Sequence, residues 1–374
     1  MLVQAVVFSV CWLLLPCLLH CRIHMNTHDG SPTPEHMPLS VSPDAVARTL
    51  ARHPRPLGGD TARGVGPALV SLSGMVLNNN DGAPQHSLIG RKPSWLRARV
   101  PGGAGYERLK GIITEHRLHT VCQEASCPNM GECWSRGTAT IMILGDTCTR
   151  SCGFCNVKTG RPAALDVDEP RRVAESLALM KLKHVVITSV NRDELPDGGA
   201  AIWAETIRAV HQACPGMSVE CLVGDFLGDE RAIQMICDAR PEILSHNMET
   251  VYRMHPAVRP QAKYQRSLAV LGQFKANGLV TKTGVMVGIG ERDEEVLTLM
   301  DDIRAASKAD ILTIGQYLQP TRNHLPIDRW VHPDQFAVFK QEALNRGFLV
   351  CESGPLVRSS YHAEEQADQL AHVV

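Results

Sequence analysis

The sequence predicts an α/β protein: a partial (β/α)6 parallel barrel with one extension at each end. Three observations lead there. Between residues 138 and 347, short apolar runs alternate with helical stretches of 10–16 residues. That alternation is the mark of right-handed βαβ units and a parallel sheet. Six such runs can be counted, which suits an open partial barrel rather than the closed eight-stranded form. The third observation is a set of cysteines at the end of the first run, where barrels of this kind place their chemistry.

Taken in order, residues 1–19 are almost wholly apolar and marginally long enough to span a bilayer. They lack a basic n-region, and no clear small-residue cleavage site follows. We expect an over-extended start, with Met25, Met37 or Met75 as candidate beginnings, rather than a membrane anchor. Residues 24–87 are rich in Pro, Gly, Asn and Asp and read as a disordered leader, so 1–90 are set apart. Residues 91–137 form an N-terminal extension that includes a short helix over 106–116. Strands are expected at 141–144, 185–190, 219–223, 243–246, 285–289 and 311–314. The helices between and after them fall at 169–182, 200–214, 232–239, 264–277, 294–306 and 333–346. In the first of these, Val173, Leu177 and Met180 share one face. Residues 348–374 make a C-terminal extension.

The net charge is −1, with no basic stripe, so a nucleic-acid partner is not expected. Thirteen cysteines in 374 residues, grouped as they are, suggest metal ligation in a reducing compartment. That points to the cytoplasm. Cys214, Cys221, Cys237 and Cys351 lie in apolar or helical contexts and read as small core residues.

The central motif is Cys148-Thr-Arg-Ser-Cys152-Gly-Phe-Cys155. Three thiolates in one loop can hold three corners of a 4Fe–4S cubane and leave its fourth iron open to a small molecule. A zinc knuckle would show paired Cys-x2-Cys or Cys/His sets instead. This spacing resembles that of the radical S-adenosylmethionine (SAM) enzymes. The resemblance implies that the open iron chelates the amino and carboxylate groups of SAM, with Phe154 against the adenine. A second trio, Cys122, Cys127 and Cys133, stands upstream, and Pro128, Asn129 and Gly131 allow it to curl round one centre. Two trios imply two clusters.

Polar residues close the strands. Residues 188–199 end on two glycines, which suits close backbone approach to a ligand. Asn191 and Asp193 are its candidate cofactor contacts, against the plainer reading of a solvated loop. Asn247 and Glu249 project from one face and could bind ribose hydroxyls or the SAM amine, although Glu249 could also cap a helix. Arg253, Arg259 and Arg266 contain a candidate carboxylate clamp. Residues 282–291 are glycine-rich without a phosphate-binding fingerprint. The closing Arg358-Ser359-Ser360-Tyr361 reads, by itself, as a serine-capped helix start, and Arg358 is counted with the cofactor contacts.

Both trios, in this order and spacing, together with 188–199, 246–250, 282–291, 316–321 and the Arg-Ser-Ser-Tyr closure, resemble the lipoyl synthase family. The resemblance runs from about residue 93 to 367. It implies insertion of two sulfur atoms, at the sixth and eighth carbons of an octanoyl chain amide-linked to a carrier lysine. It further implies that Cys148, Cys152 and Cys155 hold the cluster that cleaves SAM reductively to a 5′-deoxyadenosyl radical. Cys122, Cys127 and Cys133 would hold an auxiliary 4Fe–4S cluster that donates the sulfur, and Ser360 would be its fourth ligand. The implied partners are octanoylated lipoyl carrier domains (2-oxoacid dehydrogenase E2 subunits and the glycine cleavage H protein), a ferredoxin or flavodoxin-type reductant, and an iron–sulfur delivery protein. The rival readings are another sulfur-inserting radical SAM enzyme of the biotin synthase type, or a non-catalytic iron–sulfur electron carrier. The carrier reading leaves the βα repeats without a use.

Overall fold

The computed structural model describes residues 91–371 except 98–101, 116–117, 125–126, 128 and 137. The apolar stretch 1–19 and the leader expected over 1–90 lie outside the described residues. The N-terminal extension begins with α1 (Ala104–Glu115), β1 (His119–Thr120) and the short helices α2 (Val121–Glu124) and α3 (Met130–Ser135). Trp134 of α3 is fully buried and stacks on Tyr106 of α1 at 5.2 Å between ring centroids. That contact fixes the second cysteine segment to the first helix.

The barrel region starts at β2 (Thr140–Ile143), whose four residues are all buried. Next come β3 (Thr147–Cys148) and β4 (Lys158–Thr159), a small parallel pair outside the main sheet. The βα alternation then runs α4 (Glu169–Met180), β5 (His184–Ser189), α5 (Ala200–Ala213), β6 (Ser218–Leu222), α6 (Glu230–Asp238) and β7 (Ile243–Ser245). It continues through α7 (His255–Val258), α8 (Tyr264–Ala276), β8 (Val280–Val287), α9 (Asp293–Ser307), β9 (Ile311–Gln316) and α10 (Pro333–Asn345). The chain closes with β10 (Val350–Gly354) and α11 (Ala363–Ala371).

Local chemistry explains the boundaries. Pro170 opens α4, where its missing N–H costs nothing, and Lys181 ends the helix in the left-handed region at φ 54°. Asp229 caps α6 by accepting from the amides of Arg231 and Ala232. In α9 the side chain of Glu295 accepts from the Arg292 amide, the returning half of a capping box.

The sheet order is β1-β2-β5-β6-β7-β8-β9-β10. β1 pairs antiparallel with β2 and every other neighbour is parallel. All six expected strands are present. The difference lies at the ends. β10 is a seventh parallel strand, in register with β9 from Val350 opposite Ile311 to Gly354 opposite Gly315, where the C-terminal extension was expected to carry none. Only Val350 and Cys351 of β10 are buried, so its apolar signal is too short to read from sequence. Strand interiors bury aliphatic side chains, but one charged set is buried too. Lys282 lies 2.8 Å from Glu220 with both side chains fully covered, and His184 stands 3.7 Å from the same carboxylate. Cys221, Cys237 and Cys351 are core residues and Cys214 is half-buried.

Candidate functional site

The first cysteine loop leaves β2 through Leu144 (φ 66°) and Gly145 (φ 91°), and the β3–β4 ladder draws its two ends together. The Cys148 sulfur receives the backbone amides of Asn191 at 3.3 Å and Arg150 at 3.4 Å, with the Asn191 side-chain amide at 3.9 Å. The Gly153 amide donates to the Val258 carbonyl at 2.9 Å, and its carbonyl accepts from the Leu325 amide at 2.9 Å. A Cβ at Gly153 would stand 2.8 Å from the Leu325 side chain, so the close approach requires glycine. His324 Nε2 lies 2.9 Å from the Cys155 carbonyl. Phe154 is half-buried against the core.

Arg150, between the first two cysteines, is buried. Its guanidinium grips Asp193 at 2.7 and 2.8 Å and reaches Asp225 at 2.6 Å, and Arg266 adds a contact of 3.2 Å to Asp225. Burial works against the Asp225 charge. The Arg150 hydrogen bond and charge outweigh it and hold the carboxyl down at about 2. The structure thus places Asp193 on Arg150, and Asn191 on the Cys148 sulfur.

Asn247 and Glu249 come together as their shared face implies, with the Asn247 amide 3.1 Å from Glu249 Oε1. Glu249 sits at φ 64°, pinned by its amide to Gly284 and its carbonyl to Met286. Burial raises its pKa against the pull of Arg259. Asn247 Oδ1 is buried and has no hydrogen-bond partner among the described residues. A Cβ on Gly284 would stand 2.8 Å from that oxygen. The three candidate clamp arginines separate clearly: Arg253 pairs with Glu295 at 2.8 Å and Arg266 with Asp225. Arg259 bonds the Asn247 carbonyl at 2.6 Å and has no carboxylate within ion-pair distance among the described residues.

Burial raises the Cys152 pKa, with Arg259 opposing, and takes Cys155 up to about 12. Thiols held this way ionise at neutral pH when a cation shares the site. Among the described residues no three His, Cys, Asp or Glu side chains converge as ligands of a single ion do. A cubane takes each thiolate at a separate corner.

The second trio is held differently. Cys122 lies in α2, Cys133 in α3, and the Cys127 amide returns to the Cys122 carbonyl at 3.0 Å. Burial raises the Cys127 and Cys133 thiols, and their neighbouring cysteines add to it. The C-terminal segment closes over them. Asn129 donates to the Leu356 carbonyl at 2.6 Å, Glu132 meets His362 at 3.1 Å, and Thr138 donates to Glu364 at 3.0 Å. Arg136 pairs with Glu364 and Glu365. Arg358, half-buried over Gly315, bonds the Val357 carbonyl and feels the charge of Cys127, so it belongs to this side. Ser360 occupies a turn two residues before His362, whose carbonyl accepts the first bonds of α11 from Glu365 and Gln366. It is therefore not the helix cap, and its hydroxyl makes no hydrogen bond among the described residues. Asn156, just past Cys155, donates to the Glu124 carbonyl at 2.9 Å and joins the two cysteine segments.

A cavity of about 420 Å³ opens beside β3, lined by residues that include His119, Asp146, Thr147, Glu169 and Arg172. It has no cysteine and no expected cofactor contact in its wall. Sequence reasoning missed Arg150, Asp225, Asn156 and His324. Arg150 was visible inside the motif, but its partners lie 43 and 75 positions away in the chain.

The radical SAM superfamily matches residues 142–303, and the N-terminal domain of lipoyl synthase of the radical SAM family matches residues 78–127. Lipoyl synthase of Rubrobacter xylanophilus is 58% identical over 279 residues, 74% of this chain and 87% of its own. The mitochondrial lipoyl synthase of Nematostella vectensis is 53% identical over 275 residues, 73% of this chain and 94% of its own. Among solved structures, methylornithine synthase is similar over 66% of this chain and 82% of its own, at a TM-score of 0.45 and 13% identity.

Proposed function

The chain belongs to the lipoyl synthase family of radical SAM enzymes, and from that premise we propose how its own residues divide the work. The activity is that of a radical SAM sulfurtransferase, which inserts two sulfur atoms into a protein-bound octanoyl chain to give the lipoyl group. Membership also implies a 4Fe–4S cluster, SAM, and lipoyl carrier proteins as substrates.

Cys148, Cys152 and Cys155 hold the SAM-cleaving cluster, with the Asn191 and Arg150 amides at one sulfur and Arg259 near another. Phe154, Asn247 and Glu249 supply adenine, ribose or amine contacts. Arg259 is the carboxylate clamp, the one cation of the three candidates without a carboxylate. Cys122, Cys127, Cys133 and Ser360 hold the auxiliary cluster, and Arg358 lies against it. Once bound, these groups supply radical hydrogen abstraction from unactivated carbon and a sulfur source. The chain's task is to bring both centres to one carbon and exclude water and stray hydrogen donors.

The observation that carries the reading is Asn156 on the Glu124 carbonyl, because it sets the end of one trio beside the middle of the other. An oxygen ligand at Ser360 binds cluster iron less firmly than thiolate does, which suits a corner that must open. The domain division follows: 91–137 and 348–374 enclose the auxiliary centre, and 138–347 carries the radical centre. A ferredoxin or flavodoxin-type reductant, an iron–sulfur delivery protein and a cytoplasmic location complete the reading. Among the described residues no helix is long and apolar enough to cross a membrane.

The test is anaerobic reconstitution followed by turnover of an octanoyl-lysine peptide. Two clusters predict about eight irons per chain and lipoylated product. About four irons with SAM cleavage but no sulfur product would remove the auxiliary assignment.

A further inference from the structure

We infer that Arg150 is a positioning residue for the SAM-cleaving centre. Its guanidinium fixes the two main-chain amides that point at the Cys148 sulfur, and through them it sets how easily that cluster is reduced. The inference rests on the assignment of a cluster to Cys148, Cys152 and Cys155.

Residues 148–150 and 191–193 are laced side by side. The Thr149 amide donates to the Asn191 carbonyl at 3.1 Å, and the Thr149 hydroxyl donates to the same oxygen at 3.0 Å. That hydroxyl accepts in turn from the Asp193 amide at 3.1 Å. Arg150 closes the ladder with a two-pronged grip, Nε on Asp193 Oδ2 at 2.7 Å and Nη2 on Asp193 Oδ1 at 2.8 Å. One amide from each segment thereby reaches a single sulfur, Arg150 at 3.4 Å and Asn191 at 3.3 Å.

The same guanidinium ties this ladder to the rest of the barrel. Nη2 also reaches Asp225 Oδ1 at 2.6 Å. Asp225 accepts from the Leu227 amide at 3.2 Å and from Arg266 Nη1 of α8 at 3.2 Å. The loops after β2, β5 and β6 therefore meet at one side chain. The Asn191 side chain has little slack there, since a Cβ on Gly224 would stand 2.5 Å from its Oδ1. Only a planar fork can take both edges of one carboxylate and still reach a second, which a lysine ammonium cannot do. A buried ion pair seldom stabilises a fold more than apolar side chains of the same volume. Stability alone therefore gives no reason to bury an arginine between two aspartates, whereas placing the donors at Cys148 does.

Reduction adds one electron and no atom to a cluster, and its sulfurs share the added negative charge. N–H donors aimed at a ligand sulfur favour that reduced form and raise the potential. The guanidinium bonds Asp193 and Asp225 rather than a cysteine, so it acts through the amides it fixes.

The experiment titrates the iron-loaded enzyme against redox mediators and follows each reduced cluster by electron paramagnetic resonance. The open-iron cluster is the one whose signal SAM changes, and the auxiliary cluster serves as internal control. Arg150→Lys keeps the charge and loses the fork. Its SAM-responsive cluster should be about tenfold harder to reduce, a midpoint about 59 mV more negative for a one-electron couple. The auxiliary midpoint should not move. Thr149→Val removes two rungs of the ladder and no charge, and should shift the same midpoint in the same direction by less. Where Arg150→Lys loads iron poorly, Thr149→Val decides by the same readout. A parent-like midpoint overturns the proposal, because charge or fold stability would then account for the arginine. So does an equal shift at both clusters. A SAM-responsive signal that survives in Cys148→Ala would instead refute the cluster assignment.

Discussion

The two cysteine trios are built on opposite principles. The first is set into the barrel: its loop leaves a fully buried strand and takes bonds from the segments after β5, β7 and β9. It is also threaded by an arginine whose side chain is 2% exposed and whose partner Asp225 is 0% exposed. The second is set against the barrel by two short helices and covered by the segment 356–365. Its latching pairs are half open to solvent, with Arg136 37% and Glu365 46% exposed. Breaking a buried pair costs about 3–5 kcal/mol, whereas an exposed pair contributes about 0–1 kcal/mol. The difference fits the two duties proposed above, a radical centre that survives every turnover and an auxiliary centre whose enclosure opens.

The largest effect should come from removing one trio at a time. Cys148, Cys152 and Cys155 changed together to Ala should abolish 5′-deoxyadenosine and leave about four irons per chain. The same change at Cys122, Cys127 and Cys133 should spare SAM cleavage and abolish sulfur insertion. If either triple variant keeps about eight irons, the division into two centres is wrong.

Ser360 sharpens the contrast within the covered centre. Ser360→Ala should open one corner of the auxiliary cluster, so that 5′-deoxyadenosine continues while lipoylated product falls. Ser360→Cys should close that corner too firmly and slow sulfur release. Counting both products from an octanoyl-lysine peptide separates the cases, and normal product in both variants would leave Ser360 a plain turn residue.

How much of this was legible in the sequence follows the same divide. Periodic strands and helices, with their buried aliphatic faces, announce themselves locally, so all six barrel strands could be placed. β10 could not, because two buried residues carry no period. The trios were legible by spacing. What held them was not: Arg150 meets Asp193 and Asp225, and Asn129 meets Leu356, across separations that no local pattern encodes. The serine-cap reading of the closing motif failed for a local reason, since His362 rather than Ser360 stands at the helix start.

The barrel side should also be the acid-sensitive one. His246 is fully buried between the Val223 carbonyl and the Ser267 hydroxyl, and burial, with Arg259 adding, lowers its pKa to about 4. Unfolded, it would titrate at about 6.5, so between these values only the unfolded chain takes the proton. Stability is therefore complete above about pH 6.5 and declines as pH falls towards 4, by about 1 kcal/mol per unit for this histidine. His255, lowered to about 3 by burial, adds to the slope. Urea midpoints at pH 7 and 5.5 should differ less in His246→Gln than in the parent, and equal slopes would remove His246 from the account.

The smallest effect is the most discriminating. Arg136→Ala removes the exposed pairs to Glu364 and Glu365 that bind α3 to α11. At 37% exposure these pairs are screened, so the unfolding midpoint should move by no more than about 1 kcal/mol. A latch differs from a stabilising contact in where the loss appears. Thr138 to Glu364 and Glu132 to His362 remain, so the segment stays closed most of the time and opens more often. Iron should then leave the auxiliary centre faster under a chelator, while the barrel-held cluster and SAM cleavage keep their parent rates. Equal acceleration at both centres would mean that Arg136 supports the fold as a whole. No acceleration at either would mean that the exposed pairs do not govern opening, and the contrast would then rest on burial alone.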